Sequence, residues 1–168
     1  MSERNDGRKI VAVSNGFERE TYLLEKIFRG SGREDVFVVV PEREAEERGL
    51  KAAALLAAEP RECPQPELFP VCVTRFRPGG CRAPEGFRSF VTYSAEWDGA
   101  DFTARNVRAL PDGMTAFEIV GIGIIGRVRL ERGRGEDVEA SLAAAAAATA
   151  VGVPFAEALG ALNAPEKT

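Results

Sequence analysis

The stretch from Lys9 to Phe28 constrains the fold of this chain more than any other. Ile10 to Val13 is a short apolar run and Ser14-Asn15-Gly16 is a turn. Beyond it, Phe17, Leu23, Leu24, Ile27 and Phe28 recur at helical spacing. That pattern predicts a strand, a glycine-containing turn and a helix. In α/β proteins such a turn is where anions are held, because the helix start offers unbonded N–H groups and the positive end of its dipole. A phosphate loop of the Walker type also needs a Lys and a Ser or Thr hydroxyl. Here the turn runs into Phe17-Glu18-Arg19-Glu20. Glu18 and Glu20 suit a first helical turn, and they repel a triphosphate. The frame of a nucleotide site is present without its chemistry.

The rest of the chain extends this beginning into an α/β reading. Val36 to Val40 is a continuous apolar run stopped by Pro41, as in a strand buried on both faces. Glu42 to Ala58, rich in Glu, Ala and Leu, predicts a helix, with Glu42 to Arg48 as its solvated face. Residues 1–60 thus form a βαβα half with a parallel sheet. Residues 61–98 are irregular and Pro-rich, with strands near Val71 to Arg75 and Phe87 to Tyr93. Residues 99–131 read as an antiparallel meander, because Pro111-Asp112-Gly113 and Gly121-Ile122-Gly123 make tight turns between strand-like runs. Two helices fill 136–162. Glu136 or Asp137 caps the first, whose Ala143 to Ala148 run favours helix, and Pro154 opens the second. The tail from Asn163 predicts disorder. The fold class is therefore a short parallel sheet with flanking helices plus a small antiparallel meander, on a single domain.

Composition removes several classes of function. The chain has 168 residues, a net charge of −4 and no histidine. The charge gives no reason to expect nucleic acid. No apolar run is long enough to span a membrane and no signal peptide is visible in the polar start, so a cytoplasmic location is expected. Without histidine, Ser-His, Cys-His and His-metal mechanisms are excluded within the chain. Cys63, Cys72 and Cys81 are widely spaced and odd in number, which predicts three free thiols and no metal site.

Three segments together resemble the central domain of the Mur ligases. Val11-Ala-Val-Ser-Asn-Gly-Phe-Glu-Arg-Glu-Thr-Tyr-Leu-Leu24 is similar, without gaps, to that family's phosphate loop V-T-G-T-N-G-K-T-T-T-T-Y-L-L. The strand pair in Gly99 to Glu118 resembles its small antiparallel sheet. Glu136-Asp-Val-Glu-Ala-Ser-Leu-Ala-Ala-Ala-Ala-Ala-Ala148, followed by Val151 to Leu159, resembles its G-x-H-N-V-x-N-A-L-A-A-A helix and the next one. The resemblance implies a relation to ligases that join an amino acid or peptide to a UDP-muramoyl precursor with ATP and magnesium. Position by position, Asn15 and Gly16 match the loop, and with Thr21 they would touch a nucleotide. Val13 stands for the first loop glycine, Phe17 for the phosphate-binding lysine and Glu18 for the magnesium-binding hydroxyl. Glu136-Asp137 stand for the His-Asn pair. The strands carrying the family's metal-binding Glu and modified Lys, and its amino- and carboxy-terminal domains, are not recognisable.

These departures imply a degenerate, shortened domain with no catalytic residue of its own and no cofactor. On that expectation it acts as a binding or partner module. The alternative is a ligase component whose site, with ATP and magnesium, is completed by another chain. Strand edges or apolar helix faces exposed by the shortening are expected to be covered by self-association as a homodimer, and a separate protein partner is also expected. Trp97 is expected to close one end of the small sheet or to anchor a partner.

Overall fold

The computed structural model describes residues 7–59, 67–79, 86–131 and 135–165. Its strands are β1 (Lys9–Val13), β2 (Phe37–Pro41), β3 (Ala54–Ala57), β4 (Val71–Arg75), β5 (Ser89–Ser94), β6 (Phe102–Ala109), β7 (Thr115–Gly121) and β8 (Ile124–Leu130). Its helices are α1 (Glu18–Gly30), α2 (Glu42–Glu47), α3 (Gly135–Ala150) and α4 (Phe155–Asn163). All eight strands form one sheet in the order β2-β1-β3-β4-β5-β6-β7-β8. Pairing is parallel from β2 across to β6 and antiparallel from β6 to β8. The expected architecture of a parallel sheet, flanking helices and a meander is the one found.

One element differs from its expectation. The helix over Glu42 to Ala58 stops after Glu47. Gly49, at φ +61°, ends it, with the Gly49 and Leu50 N–H groups returning to the carbonyls of Glu46 and Ala45. Ala54 to Ala57 then form β3, fully buried between β1 and β4. Ala and Leu favour helix locally. A central strand covered on both faces rewards small apolar side chains more strongly, and tertiary context prevails.

Helices α1, α3 and α4 lie on one face of the sheet and share its main core. Val11, Val13, Leu56, Val73, Tyr93, Phe117 and Ile119 point from the strands into Leu23, Leu24, Ile27 and the alanines of α3. Ala143 to Ala148 are entirely buried. With only methyl groups there, α3 packs closely against α1, α4 and strands β3 to β7 at once. The opposite face holds a smaller core, in which Ala12, Leu55, Ala57 and Cys72 meet Ala45 of α2 and Phe69.

Two further expectations are corrected. Cys72 is disulfide-bonded and buried, so it is not a free thiol. Cys63 and Cys81 lie outside the described residues. Asn163 is not in a disordered tail: it ends α4, and its side chain accepts from the Arg129 N–H at 2.8 Å and donates to the Arg127 carbonyl at 2.9 Å. Lys26, buried in α1, donates to the carbonyls of Leu162 and Ala164 at 3.1 and 2.8 Å and so caps the same helix. Among the described residues no helix is long and apolar enough to cross a membrane.

Candidate functional site

The chain leaves β1 outward to β2 and returns on the other side to β3. In open α/β sheets the crevice at such a reversal, beyond the strands' carboxyl ends, is where ligands bind. Ser14-Asn15-Gly16 lies there. The Ser14 N–H donates to the Leu56 carbonyl at 2.9 Å, and its buried hydroxyl accepts from the Ala58 N–H at 3.0 Å. Ser14 is therefore tied, through its backbone and its side chain, to the end of β3 and the residue just beyond it. Gly16, at φ +87°, reverses the chain into α1.

Beside this turn is a cleft of about 500 Å³. The first turns of α1 and α3 line it together, along with Arg75 and Tyr93 from the ends of β4 and β5. Of the residues singled out in the sequence, Gly16, Phe17, Glu18, Glu20, Glu136 and Asp137 line it. Asn15 is exposed on the adjoining turn, and Thr21 is half-buried on α1 outside the lining.

Its charges are mostly internal to the protein. Glu18, Glu20, Glu136, Asp137 and Glu139 bring five carboxylates against the two guanidinium groups of Arg19 and Arg75. Arg19 Nε donates to Asp137 Oδ1 at 2.9 Å, joining the starts of α1 and α3, and its guanidinium also lies 5.1 Å from the centre of the Tyr22 ring. Arg75 Nε donates to Glu139 Oε1 at 2.6 Å. Burial raises the Glu20 carboxyl above its ordinary range. A bond from its own backbone N–H and the charge of Arg75 oppose that, while Glu139 and Asp137 add to it. Burial likewise pushes the Tyr93 hydroxyl up, against the charge of Arg75.

Phe17 packs its ring against the main core at the position that resembles the phosphate-binding lysine. Glu136 and Asp137 fall within the first turn of α3, not at a cap position before it. Asp137 is engaged with Arg19, and its carbonyl accepts from the Ser141 hydroxyl at 2.8 Å. Among the described residues no three His, Cys, Asp or Glu side chains are grouped to hold a metal ion. The position that the resemblance gives to a phosphate-binding lysine holds a phenyl ring, and the one it gives to a magnesium-binding hydroxyl holds the Glu18 carboxylate.

Arg75 and Glu139 were not singled out in the sequence. Arg75 ends a parallel strand, and Glu139 follows Glu136 by three residues on α3, which puts both carboxylates on one helix face. Those were the available signals. The crevice continues past Arg75 to Phe76, Ser94 and Trp97. Trp97 is 50% exposed there.

No family model matches the sequence, and no curated protein matches it. Solved structures do match the fold. MurF from Acinetobacter baumannii superposes with a TM-score of 0.72 at 14% identity, over 96% of this chain and 47% of that one. A UDP-N-acetylmuramoyl-L-alanyl-D-glutamate–2,6-diaminopimelate ligase gives 0.67 at 13% identity, over 95% and 47%. The UDP-N-acetylmuramate:L-alanyl-gamma-D-glutamyl-meso-diaminopimelate ligase from Neisseria meningitides gives 0.63 at 15% identity, over 96% and 67%. The chain spans about half the length of the first of these ligases. Its fold, from the strand–turn–helix start to the paired carboxy-terminal helices, is that of a Mur ligase domain.

Proposed function

We propose that this chain is a non-catalytic binding or partner module built on the Mur ligase fold and related to the peptidoglycan-precursor ligases. One observation carries the reading: the features of the cleft that attract anions are answered by the chain's own carboxylates. Arg19 is paired with Asp137, Arg75 with Glu139, and Glu20 accepts from its own backbone N–H at the start of α1. Phe17, half-buried in the cleft wall and packed against the core, leaves no lysine for the β and γ phosphates. Phosphoryl transfer depends on positioning and on neutralising that charge. Without either, the cleft binds no ATP and the chain takes no cofactor.

The alternative is an ATP-dependent amide ligase component whose site another chain completes. In that case Asn15, Gly16 and Thr21 would still touch the nucleotide, beside Glu136 and Asp137. Release of phosphate from Mg-ATP, with a UDP-muramoyl peptide and an amino acid supplied, separates the two. The module reading expects no release above the protein-free rate. Release that depends on the precursor would favour the ligase.

A further inference from the structure

We propose that the outer face of the β6–β8 meander binds a compact polyanion of the phosphate-ester or diphosphate class between Arg108, Arg127 and Arg129. This face is turned away from α3 and α4, as the alternation with buried Phe117, Val128 and Leu130 requires. It lies on the other side of the sheet from the cleft, and the inference stands apart from the reading given to that cleft.

The charge distribution is the first argument. Arg19, Arg33, Arg48, Arg75 and Arg77 each pair with a carboxylate. Arg108 and Arg129 have no carboxylate within 4.0 Å among the described residues, and Arg127 reaches Glu118 only at that limit. Arg29, Arg43, Arg88 and Arg105 also lack a carboxylate within that distance among the described residues; what sets Arg108, Arg127 and Arg129 apart is that three such groups line one hollow.

Geometry is the second. Arg108 and Arg129 flank Ala116 in register, one on each neighbouring strand. Two ladder spacings put their backbones about 10 Å apart, with a methyl group as the floor between them. Together with Arg127 they line a concavity of about 330 Å³. Guanidinium forks match phosphate oxygens in pairs, which ammonium groups do not. A concave site of this size suits a small ligand. A flat acidic protein surface would leave the hollow unfilled.

Backbone support is the third. The register of β6 against β7 shifts between Arg105 and Arg108, and there Asn106 adopts φ +54°. Its amide donates to Glu118 Oε2 at 2.9 Å, which holds that carboxylate within the lining of the hollow. On the other flank the Asn163 amide bonds the backbone of both Arg127 and Arg129. Bulges and left-handed non-glycine residues of this kind re-aim side chains and gather at functional sites.

The test is isothermal titration at low ionic strength with inorganic pyrophosphate, citrate and poly-glutamate, using variants shown by circular dichroism to be folded. Pyrophosphate is expected to bind once per chain. Arg108→Gln and Arg129→Gln should each weaken it about tenfold, as loss of a charge-assisted pair does. Glu118→Gln should tighten it several-fold, an effect that a merely structural role for Glu118 would not give. Arg19→Gln, in the cleft, should leave it unchanged. Absence of pyrophosphate binding, binding indifferent to Arg108→Gln and Arg129→Gln, or equal loss with Arg19→Gln would overturn the proposal. Citrate binding as tight as pyrophosphate would overturn the phosphate class. Poly-glutamate binding without pyrophosphate binding would overturn it in favour of an acidic protein.

Discussion

Arg19 Nε and Asp137 Oδ1 meet at 2.9 Å and join the first turns of two helices that are 118 residues apart in the chain. The pair is partly open to water, at 32% and 17% side-chain exposure. Its attraction is therefore largely offset by solvent and by the ordering of the arginine. A double-mutant cycle with Arg19→Ala and Asp137→Ala should give a coupling of about 0.2–1 kcal/mol that shrinks with salt. A coupling above about 3 kcal/mol would mean a dry, buried pair and a closed cleft.

Glu20 gives the cleft a pH dependence. Its carboxyl is raised in the folded protein, chiefly by burial. The folded state therefore favours the protonated form. The stability this contributes is present below the unfolded value of about 4.3 and is lost as pH rises through the folded one. Glu20→Gln should melt higher than the parent protein at pH 7, and the gain should fade towards pH 4. Paired thermal melts across that range check it. A gain of constant size would show that Glu20 does not titrate abnormally.

Helices α1 and α4 touch at Gly30. A Cβ added there would stand 2.7 Å from the Ala161 Cβ and 3.3 Å from its Cα. Neither helix backbone gives way easily. Gly30→Ala should cost about 1–3 kcal/mol by overpacking, outweighing the gain of about 1 kcal/mol expected from helix propensity alone. Urea denaturation measures the net sign.

The free edge of β8 is satisfied in part from within the chain. Asn163 supplies a donor and an acceptor where a neighbouring strand would. Asn163→Ala should uncover the Arg127 carbonyl and the Arg129 N–H beside exposed Ile124 and Ile125. An uncovered apolar edge invites pairing with other chains. Light scattering should show the variant forming larger species than the parent at the same concentration. No change in mass would mean that the exposed arginines alone keep this edge single.

The parts of the fold that were legible in the sequence are those where local signals agree with the global structure. The apolar stripe of α1 faces the core as its spacing demands, and the turns at Asp112-Gly113 and Ile122-Gly123 separate β6, β7 and β8. The strand β3 was hidden because alanine and leucine carry a helical preference, and only burial between β1 and β4 decides against it. About half of the cleft lining was visible through Gly16, Phe17, Glu18, Glu20, Glu136 and Asp137. Arg75 and Glu139 were not, because their contact joins positions 64 residues apart and leaves no trace in local pattern. The same holds for Asn163, whose role is fixed by β8 and not by its neighbours in the chain.

The central claim is that the cleft's own carboxylates and the half-buried Phe17 have displaced the nucleotide. Isothermal titration of the intact chain with Mg-ATP tests it most directly. The account predicts no heat of binding up to millimolar nucleotide. Saturable binding with a micromolar constant, lost on Gly16→Val, would contradict it and restore the cleft as a nucleotide site.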